Sequence, residues 1–395
     1  MKPPRIALVT PLWPLPGAPH AGKPIYETAL RLLHWADVEV FCPAPRYPPL
    51  RWLQPARHVY HRASAEHAPP GLRTHYLEYW TIPVIGRPWN GLGTLGVLQP
   101  ALRAWRPDLI LSYWLYPTAW AVVKIAAHLG VPAVVGSRGS DLHRIPDTLV
   151  RRLTSSTLRR ADAVLTVTED LRTRAIAMGA DAALTRSVPN GCDTSVYHPM
   201  PVGAARQALG LPEAGELVVQ VGHLISSKGV FDLLAAFILV AAERPQLRLA
   251  LVGDGPAMND LRARAAAAGL SDRLLLPGSR TPSDVALWIN AADVVCLASH
   301  GEGCPNVVLE AFSCGRPVVG CDVGGISELL RPGCGVLVPP HQPPALAAGL
   351  RQALSQSWDP GVIASQFSRR WEDVARETFD VCHALLRADR ESPVR

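Results

Sequence analysis

Lysine, clustered cysteines and long apolar runs are what this 395-residue chain has least of. Its longest clean apolar run, Leu233–Ala242, stops after ten residues at Glu243. That is too short to span a bilayer and suits a buried helix. The first apolar run, Ile6–Val9, is too short for the core of a secretory leader and runs into Pro11, so it reads as a strand. None of the eight cysteines forms a CxxC, and none clusters with histidine in a metal-like spacing. Reduced, mostly structural thiols in a cytoplasmic setting are the expectation. Only 4 of the 39 basic residues are lysine, a bias that with abundant Ala and Pro reads as coding composition rather than a charge device. Asp-x-Asp is absent as well. Hard cations such as Mg²⁺ or Mn²⁺ want oxygen ligands, typically carboxylates gathered on a short loop, so no metal is expected.

What is present is a globular chain. At 48% hydrophobic and 18% charged residues it can build real cores, and its length suits two domains. The net charge of +6 is unevenly placed: residues 1–199 carry 22 basic against 13 acidic side chains, residues 200–395 carry 17 against 20. All 8 Tyr and 8 of the 11 Trp also fall in the first half. Such a half suggests a surface that meets something anionic or interfacial. Nucleic acid is disfavoured, because no helix-turn-helix, zinc-finger or RNA-binding pattern accompanies the charge.

Short apolar strands alternate with amphipathic helices. The predicted strands are Ile6–Val9, Val38–Cys42, Leu109–Tyr113, Ala133–Val135, Ala163–Val167, Leu217–Val221, Leu249–Val252, Val294–Leu297 and Val318–Gly320. Helices are predicted over Ala119–Leu129, Phe231–Glu243 and Asn306–Cys314. This alternation implies an α/β fold of parallel, doubly wound sheets. Ala161-Asp162-Ala163-Val164-Leu165 is echoed by Ala292-Asp293-Val294-Val295-Cys296, so the series reads as two Rossmann-like halves. Prolines cluster at the joint, near Asn190–Gly215. Between Arg46 and Arg106 the pattern loosens, with eight arginines interleaved with large aromatics. A solvated insertion and a binding surface are equally good readings of it.

The densest site signal runs from Gly301-Glu302-Gly303-Cys304-Pro305-Asn306-Val307 to Glu310, after one strand and into a helix. Pro305 suits the first helical turn, and the amides near Asn306 and Val307 offer donors and partial positive charge to phosphate. Glu302 and Glu310 would accept from sugar and ribose hydroxyls. A second signal, Val221-Gly222-His223 through Lys228-Gly229, places one of the rare lysines beside glycines at a strand's carboxyl end, where it can neutralise phosphate. Gly253-Asp254-Gly255 is weaker. Met258 stands where a dinucleotide fingerprint needs its third glycine, which disfavours a nicotinamide enzyme. In the first half, Arg138 and Asp141 lie on a glycine-flanked loop after Ala133–Val135, and Gly22 offers a backbone approach point. A turn with a local salt bridge and an ordinary loop are their bland readings.

Taken together these motifs resemble family-4 retaining, nucleotide-sugar-dependent glycosyltransferases of the GT-B fold. The resemblance also rests on Gly315-Arg316-Pro317-Val318-Val319, Val323-Gly324-Gly325, Gly139-Ser140-Asp141 and Pro189-Asn190-Gly191-Cys192-Asp193, and covers nearly the whole chain. It implies two Rossmann-like domains facing a cleft: an acceptor-side domain over 1–198, joined by a helix over about 372–395 that crosses back, and a nucleotide-sugar-binding domain over 199–371. It further implies Glu302 on the donor sugar, Glu310 on the ribose and Lys228 on the diphosphate. His223, Gly22, Gly303, Asn306 and Val307 complete the donor site, and Asp141 and Arg138 join Glu302 as catalytic candidates. The family often has Arg where this chain has His223, and His where it has Arg138. The expected activity is sugar transfer to a glycan or lipid-linked acceptor in cell-surface polysaccharide or glycolipid synthesis, by a cytoplasmic protein peripheral at the inner membrane face. A non-catalytic partner subunit and a nucleotide-sugar epimerase or phosphorylase on the same fold are the alternatives.

Overall fold

A computed structural model describes residues 2–14, 21–48, 68–82, 86–145 and 147–391. The chain divides into two compact units, one of Met1–Asn190 with Trp371–Arg395, the other of Gly191–Arg370.

The first unit is built on seven strands: β1 (Arg5–Val9), β2 (Asp37–Arg46), β3 (Arg73–Trp80), β4 (Leu109–Tyr113), β5 (Ala133–Ser137), β6 (Ala163–Thr166) and β7 (Thr185–Ser187). They lie in the order β3-β2-β1-β4-β5-β6-β7, every pair parallel. Ile6, Leu8, Leu109 and Leu111 are completely buried, as the central strands of a sheet covered on both faces must be. The second unit repeats the plan with β8 (Glu216–Val221), β9 (Leu247–Val252), β10 (Leu274–Gly278), β11 (Val294–Leu297), β12 (Val318–Cys321) and β13 (Gly335–Val338). Their order is β10-β9-β8-β11-β12-β13, again all parallel.

The Ala-Asp echo has a physical origin. Asp162 Oδ2 accepts from Ala133 N at 2.8 Å, while Asp162 N donates to Ala133 O at 3.0 Å. Asp293 makes the same two-way exchange with Leu217, at 2.6 and 2.9 Å. Asp108 does so a third time, with Arg5, at 2.7 and 2.8 Å. In each case the aspartate precedes a strand and pairs with the neighbouring strand through one side-chain and one main-chain bond.

The reading of residues 46–106 as a loosened insertion is corrected in part. β3 pairs with β2 over eight residues, from Glu39↔Arg73 to Arg46↔Trp80, and a helix follows over Asn90–Trp105. Residues 49–67 and 83–85, with Arg51, Arg57 and Arg62, lie outside the described residues. The C-terminal helix, Trp371–Glu391, packs on the helix Lys23–Leu32 of the first unit. Trp371, Val374, Ala375 and Cys382 enter that unit's core, and Arg31 Nε meets Glu372 Oε1 at 2.6 Å. Among the described residues no helix is long and apolar enough to cross a membrane.

Candidate active site

In a doubly wound sheet, ligands bind beyond the carboxyl ends of the strands, where the strand order reverses. In the second unit that point lies between β8 and β11, the two strands whose following loops carry Lys228 and Glu302. After β8 the chain makes a short turn, Ser226–Lys228, and enters the helix Val230–Ala241 through Gly229. Gly229 has φ +65°, and a Cβ there would lie 1.8 Å from the carbonyl oxygen of Ala298. Only glycine lets the two loops approach so closely.

The approach has a direct consequence. Lys228 Nζ donates to Glu302 Oε1 at 2.5 Å, and Ser299 Oγ donates to the same oxygen at 2.6 Å. Lysine and glutamate, expected to address separate parts of a ligand, are therefore partners of each other here. The lysine side chain is 32% exposed and the glutamate 11%. Gly303 and Cys304 lead to Pro305, which caps the helix Asn306–Ser313 rather than sitting in its first turn. The amides that open this helix are the ones an α-helix leaves without intrahelical acceptors. Val307's side chain packs against the core, so its main chain is the part that can meet a ligand. His223 is exposed on the loop after β8. The weaker glycine motif supports that loop: Leu224 N donates to Asp254 O at 2.9 Å and Ala257 N to Leu224 O at 3.1 Å.

Glu310 lies one helical stretch further on, bonded to the phenol of Tyr197. Burial, with the adjacent Glu310 carboxylate, pushes the Tyr197 phenol up, so it remains a neutral donor. Tyr197 is buried on the segment that opens the second unit. Neither Tyr197 nor Ser299 stood out in the sequence. Ser299 was findable as a polar residue closing an apolar strand, whereas Tyr197 sits in irregular chain with no period to flag it.

The remaining candidates lie in the first unit. Asp141 is buried and held from four sides: Oδ1 accepts from Ser137 Oγ (2.8 Å), Gly139 N (3.2 Å) and Arg138 N (3.3 Å), and Oδ2 from Leu115 N (3.2 Å). Burial pushes its carboxyl up, while those bonds pull the other way. Arg138 donates through Nη2 to Asn190 Oδ1 at 2.5 Å and lies 5.4 Å from the Tyr113 ring centre. Asp141 borders a cavity of about 290 Å³, lined also by Arg87, Asn90, Trp114, Tyr116 and Arg144. Gly22 starts the helix Lys23–Leu32 at φ +69°, and a Cβ there would lie 2.0 Å from Leu12 O. That packing accounts for this glycine without a ligand.

Two doubly wound, all-parallel units of this kind define a class by architecture, the GT-B fold. The Anabaena protein Alr3699/HepE, solved in complex with UDP, superposes with a TM-score of 0.71 at 21% identity, over 99% of each chain. The family "Glycosyl transferases group 1" matches residues 202–377, and "Glycosyl transferase 4-like domain" matches residues 25–191. The 2-deoxystreptamine glucosyltransferase of Streptomyces kanamyceticus is 30% identical over 71% of this chain and 76% of its own. The putative teichuronic acid biosynthesis glycosyltransferase TuaC of Bacillus subtilis is 27% identical over 91% of both. A D-inositol 3-phosphate glycosyltransferase of Thermobispora bispora is 33% identical, but the match spans about half of each chain, 52% of this one and 51% of that one. The chain belongs to the group 1 glycosyltransferases, and it is a glycosyltransferase enzyme.

Proposed function

We propose that the chain transfers a sugar, with retention of anomeric configuration, from a nucleoside-diphosphate sugar to a hydroxyl of a glycan or lipid-linked acceptor. The Lys228–Glu302–Ser299 cluster carries this reading, because it sets a cation and a carboxylate together at the switch point of the second sheet. Departure of the diphosphate builds negative charge on its oxygens and positive character at the sugar carbon. Groups that meet this charge more strongly in the transition state than in the ground state accelerate transfer. Lys228, His223 and the amides opening the helix at Asn306 take the phosphate side. Glu302 faces the sugar once Lys228 turns to the diphosphate, and Glu310, steadied by Tyr197, takes the ribose. No divalent metal takes part in holding the diphosphate. The Asp141 cavity is the acceptor's place, and the anchored Asp141 carboxylate shapes the loop that forms it.

The likeness to TuaC supports polysaccharide synthesis as the setting. Peripheral association with an anionic membrane is supported by the first unit's exposed Trp80, Ile82, Trp89 and Leu92, with Arg46 lying 4.5 Å over the Trp80 ring. A thermal-shift panel of nucleotides and nucleotide sugars tests the donor reading. UDP and UDP-glucose come first because a neighbour of the same fold was solved with them. A ligand at 100 times its dissociation constant stabilises by about 2.7 kcal/mol. A panel in which no nucleotide shifts the melt overturns the reading.

A further inference from the structure

We propose that Asp232, His300 and His341 form a binding site for a divalent transition-metal ion of the Zn²⁺ class. One ligand atom from each lies within 4.8 Å of the others, the only such group among the described residues. The three come from separate segments of the second unit, one helix and two loops. Asp232 stands in the first turn of the helix after Gly229, His300 follows β11, and His341 follows β13. Each is held by its surroundings. His300 N donates to Ser227 O at 3.1 Å, and the His300 Nε2 and Asp232 Oδ2 atoms lie 2.8 Å apart. The His341 ring lies with its centre 3.8 Å from that of His300.

His341 adds an observation of its own. Its φ is +58°, a left-handed conformation that L side chains adopt at a cost and that glycine would occupy freely. His341 brings a third ligand atom to a pair already formed. Two imidazoles and one carboxylate favour a borderline metal over Mg²⁺ or Ca²⁺, which prefer oxygen throughout. An ion would replace the direct His300–Asp232 contact, leaving further positions for water. At Zn–N bonds of about 2.0–2.1 Å the His300 and Asp232 atoms, 2.8 Å apart, must open slightly to admit the ion, and the exposed His341 ring must move in to meet it. The inference concerns metal binding alone and stands independently of the donor assignment.

The test uses the full chain, stripped of metal and titrated with Co²⁺. The expected result is a visible d–d absorption that saturates at one equivalent, is displaced by Zn²⁺ and is unmoved by excess Mg²⁺. His341→Gly should abolish the band without lowering the thermal melt, since glycine suits that backbone; Asp232→Asn provides a second variant that should lose it. No saturable band overturns the proposal, as does equal displacement by Mg²⁺. A band retained in both variants also overturns it, placing the metal elsewhere among the 13 histidines.

Discussion

Replacing Glu302 by Gln should tighten the binding of a nucleoside diphosphate while slowing sugar transfer. Before donor arrives, Lys228 Nζ is engaged by Glu302 Oε1 at 2.5 Å, so a diphosphate must compete for the cation. A hydrogen bond to a charged group is worth ~1.5–3 kcal/mol when buried. With the lysine 32% exposed, solvent screening brings this pair to roughly 1 kcal/mol. Releasing Lys228 should then improve diphosphate affinity about fivefold, since 1.4 kcal/mol corresponds to tenfold. Lys228→Ala acts in the opposite direction: it removes the cation itself and should weaken binding by tenfold or more, at ~1.5–3 kcal/mol for the lost charged contact. Isothermal titration with the nucleoside diphosphate picked out by the thermal-shift panel separates the two variants, and initial rates report the transfer defect. If Glu302→Gln weakened diphosphate binding as much as Lys228→Ala, the competition argued from the ion pair would be wrong.

Other substitutions probe the neighbouring contacts. Glu310→Ala should weaken donor binding roughly tenfold or more through lost ribose bonds, with Tyr197→Phe giving a smaller loss of the same kind; unchanged donor affinity in both would remove Glu310 from the site. Trp80→Ala with Trp89→Ala should reduce flotation with anionic liposomes, and recovery that ignores both headgroup charge and these variants would leave that face without a membrane role. Burial acts against the ionised form of Glu39, but bonds from His75 and Trp105 and the charge of Arg73 outweigh it and hold the carboxyl below its usual 4.5. A depressed carboxylate stabilises the fold above its unfolded pKa and loses that contribution as pH falls through its folded value. The melting-temperature gap between wild type and Glu39→Gln should therefore be widest near neutrality and shrink below 4.5; a gap that grows in acid contradicts this.

All nine strands read from the sequence are present, and the four that were missed share one property. β3, β7, β10 and β13 are the edge strands of the two sheets. A central parallel strand is buried on both faces and so announces itself as an apolar run, as Leu109-Ile110-Leu111 does. Of the edge strands, Arg73–Trp80 and Thr185–Ser187 carry charged and polar side chains, while Leu274–Gly278 and Gly335–Val338 are short apolar stretches broken or opened by Pro277, Gly278 and Gly335. In each the pairing is decided by the neighbour it joins. The same distinction divides the site. Lys228 and Glu302 were legible because glycines and a strand-loop-helix context frame them. Their mutual ion pair was not, since it follows from the approach of Gly229 to Ala298, a contact between loops 69 residues apart. Tyr197 reaches Glu310 from irregular chain, where no period marks which side chain points inward.

The central claim, that protein groups rather than a divalent cation hold the diphosphate, is tested most directly by initial rates of transfer in excess EDTA, for the wild type and Lys228→Ala side by side. The account predicts that chelation leaves the wild-type rate nearly unchanged and that Lys228→Ala loses far more activity than chelation does. Loss of wild-type activity in EDTA, restored by Mg²⁺ or Mn²⁺, would contradict it.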